Sequence, residues 1–235
     1  MNNTSHEYYY LLLSIMAGFL LTLIILFDSI SASSPKPFIE KLYLFSGFLA
    51  ACIFGLSCAW FPNWYRNIFR KKNLQTMNSS LNKIKKNRKG HHPDCKNFHD
   101  HIITINHNVY CTGCFGLSIG FILAIILTAI YMILPLILPT FLLIISYILS
   151  LLIIGYVYIE TVLNRNKKWI HIATNALLIL GLNLLIITIY ELTSEIQYGF
   201  IALLFAFLFI ETRIQLSKQK HKLICAECEN ICKMY

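Results

Sequence analysis

The composition of this 235-residue chain is that of a membrane protein. Hydrophobic residues occupy 57% of the positions and charged residues only 13%, whereas a soluble domain has about a quarter charged residues. The mean hydropathy of +0.61 therefore excludes an ordinary soluble domain. The net charge of +9 would suit nucleic acid. However, the basic residues cluster beside apolar blocks, where they are typical of topology signals and contacts with anionic lipids, so we do not expect a nucleic-acid partner.

The apolar residues form blocks that are long enough to cross a bilayer, which takes about 20 residues. We therefore predict an all-α integral membrane protein with about six transmembrane helices. The first two form a hairpin within residues 1–62, and the other four form a membrane core over 115–212. The predicted helices cover 8–27, 42–60, 115–134, 139–161, 169–190 and 196–210. The sixth has only 15 residues between Glu195 and Glu211, so it crosses the membrane only if these ends reach the headgroups.

The distribution of positive charge predicts the orientation. With six helices, 18 of the 20 Lys and Arg residues fall on the side that holds both termini, and only Lys36 and Lys41 fall on the other. Because short cytoplasmic loops are enriched in these residues, we expect a multi-pass protein of the cell membrane with both termini in the cytoplasm. All cysteines outside the second helix would then lie in a reducing compartment, which favours metal binding over disulfides.

Residues 63–90 form a strongly basic segment next to the second helix. Leu74, Met77, Leu81 and Ile84 recur in it at helical spacing, which predicts a helix on the membrane surface. A solvated flexible linker fits the same residues. In either case we expect contacts with anionic lipid headgroups.

The segment 91–114 has the ligand spacing of a zinc module. Two residues separate His92 from Cys95, two separate Cys111 from Cys114, and 15 lie between the pairs. This is a zinc-ribbon arrangement with one cysteine replaced by histidine, and four such ligands would close a structural site around one zinc ion. Gly113 gives this knuckle backbone freedom.

The identity of the histidine ligand is left open by the spacing. His101 gives a second acceptable ligand set with Cys95, Cys111 and Cys114, and His91 and His99 are also near. Between the cysteine pairs, the β-branched residues on either side of 106–108 predict a short β-hairpin. A two-stranded hairpin is marginal alone, so a zinc ion would stabilise it.

The motif His-His-Pro-x-Cys, followed by Cys-x-Gly-Cys-x-Gly-Leu at the start of a membrane helix, resembles a family of small, uncharacterised prokaryotic multispanning proteins. Broader relatives carry Cys-His-Gln, then Cys-x-Arg-Cys-x-Gly, then an acidic residue and an Asn in later helices. Here Cys111, Cys114 and Gly116 match the second element, whereas Cys-His-Gln is absent and Gly113 replaces the arginine. Glu160 and Asn175 fall where the later residues are expected. The resemblance covers about residues 91–190 and implies a fold and a metal site, not an activity.

The predicted cytoplasmic tail, 213–235, contains a second group of possible metal ligands. Its cysteines have the spacing Cys-x2-Cys-x3-Cys, with a histidine four residues earlier; the four residues are His221, Cys225, Cys228 and Cys232. They would bind a second zinc ion or, as an alternative, help to hold an iron–sulfur cluster, which usually takes four thiolates. A disordered tail with reactive thiols is the alternative without a metal.

Few polar residues lie within the predicted helices. Glu160 ends the fourth helix, and His171 and Asn175 lie one turn apart in the fifth, where Asn175 could meet Glu160 across the helix interface. Small residues recur every four positions at Gly47, Ala51 and Gly55 and again from Gly116, a pattern that favours close helix packing in lipid.

These features predict a non-enzymatic membrane protein with a structural zinc module that contacts an unidentified protein partner. One alternative is a membrane-embedded metalloenzyme that uses the surplus histidines and Glu160. Another is a small transporter whose path is lined by Glu160, His171 and Asn175, which requires a polar cavity within the helices.

Overall fold

The computed structural model describes residues 4–27, 37–60, 101–105, 108–134, 138–163, 167–193 and 195–226. This part of the chain contains six helices that are long and apolar enough to cross a membrane, as predicted from the apolar blocks. The basic segment 63–90 lies outside the described residues. The helices are α1 (Thr4–Phe27), α2 (Phe38–Trp60), α3 (Thr112–Ile133), α4 (Thr140–Val162), α5 (Lys168–Leu192) and α6 (Ile196–Ala226).

The sixth helix differs from the prediction. We expected 15 residues ending at Ile210, but α6 has 31 residues and continues to Ala226. The stretch from Ile196 to Lys220 has the length and hydropathy of a membrane span. The helix continues past Glu211 because the polar residues of its next turn face other helices. Thr212, for example, is fully buried and contacts α1 through a hydrogen bond to the carbonyl of Tyr10.

Helix α5 is the centre of the bundle. In its most apolar stretch 72% of the residues are buried inside the protein, against 22–39% for the other five helices. It packs against α3, α4 and α6, and Leu182, Leu185, Ile186 and Ile189 form the middle of the core. The other helices leave many large apolar side chains exposed, which is the pattern expected where lipid rather than water covers the surface.

Glycines allow α3 to lie directly against α5. A Cβ atom on Gly116 would be 2.4 Å from the carbonyl oxygen of Ile172, and one on Gly120 would be 2.9 Å from that of Ala176. Gly55 of α2 similarly makes room for the ring of Phe121 on α3. The predicted role of small residues in close helix packing is therefore confirmed at Gly55, Gly116 and Gly120.

The predicted β-hairpin is present. Strand β1 (Ile102–Ile105) pairs with β2 (Asn108–Cys111) in antiparallel register, with Ile102 opposite Cys111. Helix α3 begins at the next residue, Thr112, so no linker separates the hairpin from the bundle. We call this end of the bundle, where α2 and α4 end and α3 and α5 begin, the hairpin end.

Hydroxyl groups connect α1 to the rest of the bundle. Ser14 and Thr212 form a hydrogen bond of 2.6 Å between α1 and α6. Thr22 and the hydroxyl of Tyr147 form one of 2.8 Å between α1 and α4. These contacts fix the rotation of α1, since an apolar helix in lipid has no hydrophobic drive to select one face.

We expect Ser14→Ala to lower the free energy of unfolding by about 0.6 kcal/mol, the average for such bonds in membrane proteins. Ser57→Ala is the matched control, because among the described residues Ser57 donates its hydrogen bond to the carbonyl of Ile53 in its own helix. Unfolding of both purified variants in detergent and SDS mixtures measures the difference. Equal stabilities for the two variants would contradict an interhelical role for Ser14.

An ion pair lies at the opposite end of the bundle. The Lys41 ammonium is 3.2 Å from the carboxylate of Glu191, and the two side chains are only 12% and 15% exposed. The Tyr131 hydroxyl donates a hydrogen bond to the same carboxylate, and the ammonium lies 4.6 Å from the centre of the Tyr131 ring. This cluster joins α2, α3 and α5.

Candidate functional site

Two thiols lie together where the hairpin meets the bundle. Cys111 is the last residue of β2 and occupies the N-cap position of α3, with an extended backbone (φ −74°, ψ 129°). Cys114 lies in the first helical turn, and its thiol is hydrogen-bonded to that of Cys111, with no disulfide between them. The predicted Cys-x-x-Cys knuckle therefore brings its two sulfur atoms together.

The start of α3 is bonded to the start of the hairpin. The Thr112 hydroxyl donates to the carbonyl oxygen of His101 at 3.1 Å. Both residues are buried, and together with the strand pairing this bond fixes the hairpin against the helix. The hairpin and the first turn of α3 thus hold the two thiols in place.

His101 lies on the bundle side of the hairpin. Its ring stacks on that of His171 at the start of α5, with 4.9 Å between the ring centres and 30° between the planes. Both rings are buried. Thus the structure brings together a predicted alternative zinc ligand and a predicted intramembrane polar residue, which lie 70 positions apart in the sequence.

Asn175 lies near the Cys111 thiol. Its amide nitrogen donates to the carbonyl oxygen of His171 one turn earlier, and a Cβ atom placed on Gly113 would be 3.6 Å from the Cys111 sulfur and 3.8 Å from this amide nitrogen. Asn175 is fully buried, and its side-chain oxygen has no hydrogen-bond partner among the described residues.

The ligands predicted for zinc are described only in part. His92 and Cys95 lie outside the described residues, as do His91 and His99. Within the described ranges, no three His, Cys, Asp or Glu side chains are close enough to hold a metal ion. Cys111 and Cys114 fit half of a tetrahedral zinc site by chemistry and spacing. The other half would have to come from beyond these ranges.

The tail ligands are also described in part. Helix α6 runs through positions 221 and 225, which places His221 and Cys225 one turn apart along it. Cys228 and Cys232 lie outside the described residues. The predicted second metal site therefore remains a prediction.

The thiols border a cavity of about 840 Å³ at the hairpin end. Glu160, His171 and Asn175, the three predicted intramembrane polar residues, all line it, as does His101. The lining at the other end of the cavity is apolar and includes Phe48, Phe121, Ile179, Leu182 and Leu203. The cavity therefore has one polar end, beside the thiols, and one apolar end within the bundle.

Arg213 is a residue of this cavity that the sequence analysis did not identify. It lies on the part of α6 that we had assigned to the tail, and its Nε is buried without a hydrogen-bond partner among the described residues. Its electrostatic neighbours include the Cys111 and Cys114 thiols and the Lys220 ammonium. A signal was present, because Ile210 and Ile214 continue the helical apolar spacing on both sides of Arg213.

A comparison with known protein families, curated proteins and solved structures finds no match to this chain. The function must therefore be argued from the site itself.

Proposed function

We propose that this is a multi-pass membrane protein whose cytoplasmic end is held together by one structural zinc ion, and that it presents this end to a protein partner. In this proposal His92, Cys95, Cys111 and Cys114 are the four ligands. The observation that carries it is the contact between the Cys111 and Cys114 thiols at the start of α3. We also propose that the chain is related to the uncharacterised multispanning family, a resemblance that rests on the same motif.

A zinc ion has a clear structural task in this position. The hairpin has only four residue pairs, too few to be stable alone in water. A closed site with ligands before and after the hairpin would anchor both of its ends to α3. Zinc binding would thereby contribute directly to the stability of the fold.

His101 has a different role in the proposal. Its ring stacks on His171, so it packs the hairpin onto the bundle rather than completing the metal site. A ligand set with His101 in place of His92 would require the ring to leave this stack.

We expect the full chain, purified in detergent without chelators, to contain one or two zinc ions per molecule. Inductively coupled plasma mass spectrometry measures this zinc content. Cys114→Ala should remove about one of these ions, because three remaining ligands hold zinc much more weakly. Cys58→Ala is the matched control, since Cys58 is in α2 and is not a proposed ligand. The zinc content of Cys228→Ala tests separately whether the tail binds a second zinc ion.

A protein without zinc, in which all six cysteines outside α2 react freely with an alkylating reagent, would contradict the proposal. Equal zinc contents in Cys114→Ala and Cys58→Ala would also contradict it, because zinc would then bind without this thiol.

One observation favours a second candidate function, a small transporter. Glu160, His171 and Asn175 line one cavity, as that hypothesis requires. However, a path across the membrane needs polar groups along its whole length, and the lining residues at the inner end are apolar. We therefore prefer the zinc-stabilised membrane protein.

A further inference from the structure

The cavity has the polarity of a lipid-binding site. Its residues on α6 extend from Leu203 to Lys220, a distance of about 25 Å at about 1.5 Å per residue. Along this length the lining changes from apolar side chains to the cations Arg213, Lys218 and Lys220. A ligand that matches it must be long, apolar at one end and negatively charged at the other.

The cavity also communicates with the outer surface of the helices. Phe54 of α2 and Phe207 of α6 both line it, and they remain 53% and 49% exposed. In a six-helix membrane bundle these exposed rings face the hydrocarbon of the bilayer. The cavity is therefore accessible to a molecule that is already dissolved in the membrane.

Arg213 supplies a buried donor at the polar end of the cavity. Its Nε has no hydrogen-bond partner among the described residues, and its electrostatic neighbours include the Cys111 and Cys114 thiols. Of the two carboxylates that line the cavity, Glu160 interacts with Lys220, and Glu211 accepts a hydrogen bond from Gln215. A buried guanidinium strongly favours a phosphate, because it forms paired charge-assisted hydrogen bonds with one.

We propose that this cavity binds one membrane phospholipid with an anionic headgroup. The phosphate lies against Arg213 with Lys218 nearby, and an acyl chain extends between α2 and α6 toward Phe48 and Leu203. The proposed headgroup contacts are the cations on α6, not the Cys111 and Cys114 thiols that border the same cavity.

The test is a titration of the full chain in neutral detergent with phosphatidylglycerol and, separately, with phosphatidylcholine, with bound lipid counted by native mass spectrometry. We expect phosphatidylglycerol to bind about tenfold more tightly, since the phosphatidylcholine headgroup has no net charge for Arg213 to neutralise. Arg213→Gln should abolish this preference, and Arg213→Lys should keep part of it. Lys168→Gln is the matched control, because Lys168 is at the hairpin end of α5 but does not line the cavity.

A second variant tests the apolar end without changing the charges. Ala51 lines the cavity on α2, and Ala51→Phe should weaken phosphatidylglycerol binding by filling the space of the acyl chain. If Arg213→Gln fails to fold or releases zinc, Ala51→Phe still tests lipid binding by the cavity, because Ala51 is remote from the thiols in sequence and carries no charge.

Several results would overturn the proposal. One is equal affinity of the wild-type protein for the two lipids. Another is unchanged phosphatidylglycerol binding in both Arg213→Gln and Ala51→Phe. Displacement of the lipid by inorganic phosphate at the same concentration would show that the site binds a free anion instead.

Discussion

Gly116→Leu is expected to destabilise the helix bundle by about 3 kcal/mol or more, at the upper end of the cost of overpacking. A Cβ at this position would be 2.4 Å from the carbonyl oxygen of Ile172 and 2.9 Å from its Cα. Both contacts are with backbone atoms, so no side-chain rotation can relieve them. Helices α3 and α5 would have to separate, and the position of the Cys111 and Cys114 thiols beside Asn175 would be lost with their packing.

The matched control is Gly155→Leu on α4, where a Cβ meets nothing within 4 Å. Unfolding of both variants in detergent and SDS mixtures gives the comparison, and the zinc content reports on the thiol site. We expect the control to equal or exceed the wild-type stability, because leucine has the higher helix propensity. Similar destabilisation by the two substitutions would contradict the close packing of α3 on α5.

Glu191→Gln is expected to lower the free energy of unfolding by about 3 kcal/mol. The substitution leaves the Lys41 ammonium poorly exposed and without its carboxylate, and breaking a buried ion pair by removing one partner typically costs 3–5 kcal/mol. The Tyr131 hydroxyl keeps an acceptor in the glutamine side chain, so the loss comes mainly from the charge. The same unfolding assay measures this effect.

A double substitution separates the ion pair from the site as a whole. Lys41→Met in the Glu191→Gln protein removes the unpaired charge, and we expect it to recover most of the lost stability. A double variant that is as unstable as the sum of the two single variants would show that Lys41 and Glu191 do not interact energetically.

The helices were predictable from the sequence because long charge-free blocks form α-helices in a membrane, where each segment must satisfy its own backbone hydrogen bonds. The Cys111 and Cys114 pair was predictable for a related reason. Its geometry is local, since two intervening residues in the first turn of a helix bring both side chains to one side. The hairpin followed from the β-branched residues on either side of 106–108 in the same way.

The extent of α6 was not predictable by hydropathy alone. Glu211, Thr212 and Arg213 interrupt the apolar block, and a count of positive charges treats Arg213 as an orientation signal. In the structure Thr212 is hydrogen-bonded to the carbonyl of Tyr10 on α1, and Glu211 and Arg213 line the cavity. Contacts between distant parts of the chain were not predictable either, because spacing and hydropathy report only on local structure. Examples are the stack of His101 on His171 and the ion pair of Lys41 with Glu191.

The central claim is that six helices cross the membrane with the hairpin end and its thiols on the cytoplasmic side, and thiol labelling of intact cells tests it most directly. On this account every native cysteine lies in the cytoplasm or within the bundle, whereas Ser34, which falls between α1 and α2 in the sequence, belongs to the outer side. A membrane-impermeant maleimide should label Ser34→Cys in intact cells and leave the wild-type protein unlabelled until the cells are opened. Labelling of the wild-type protein in intact cells, or protection of Ser34→Cys, would contradict the account.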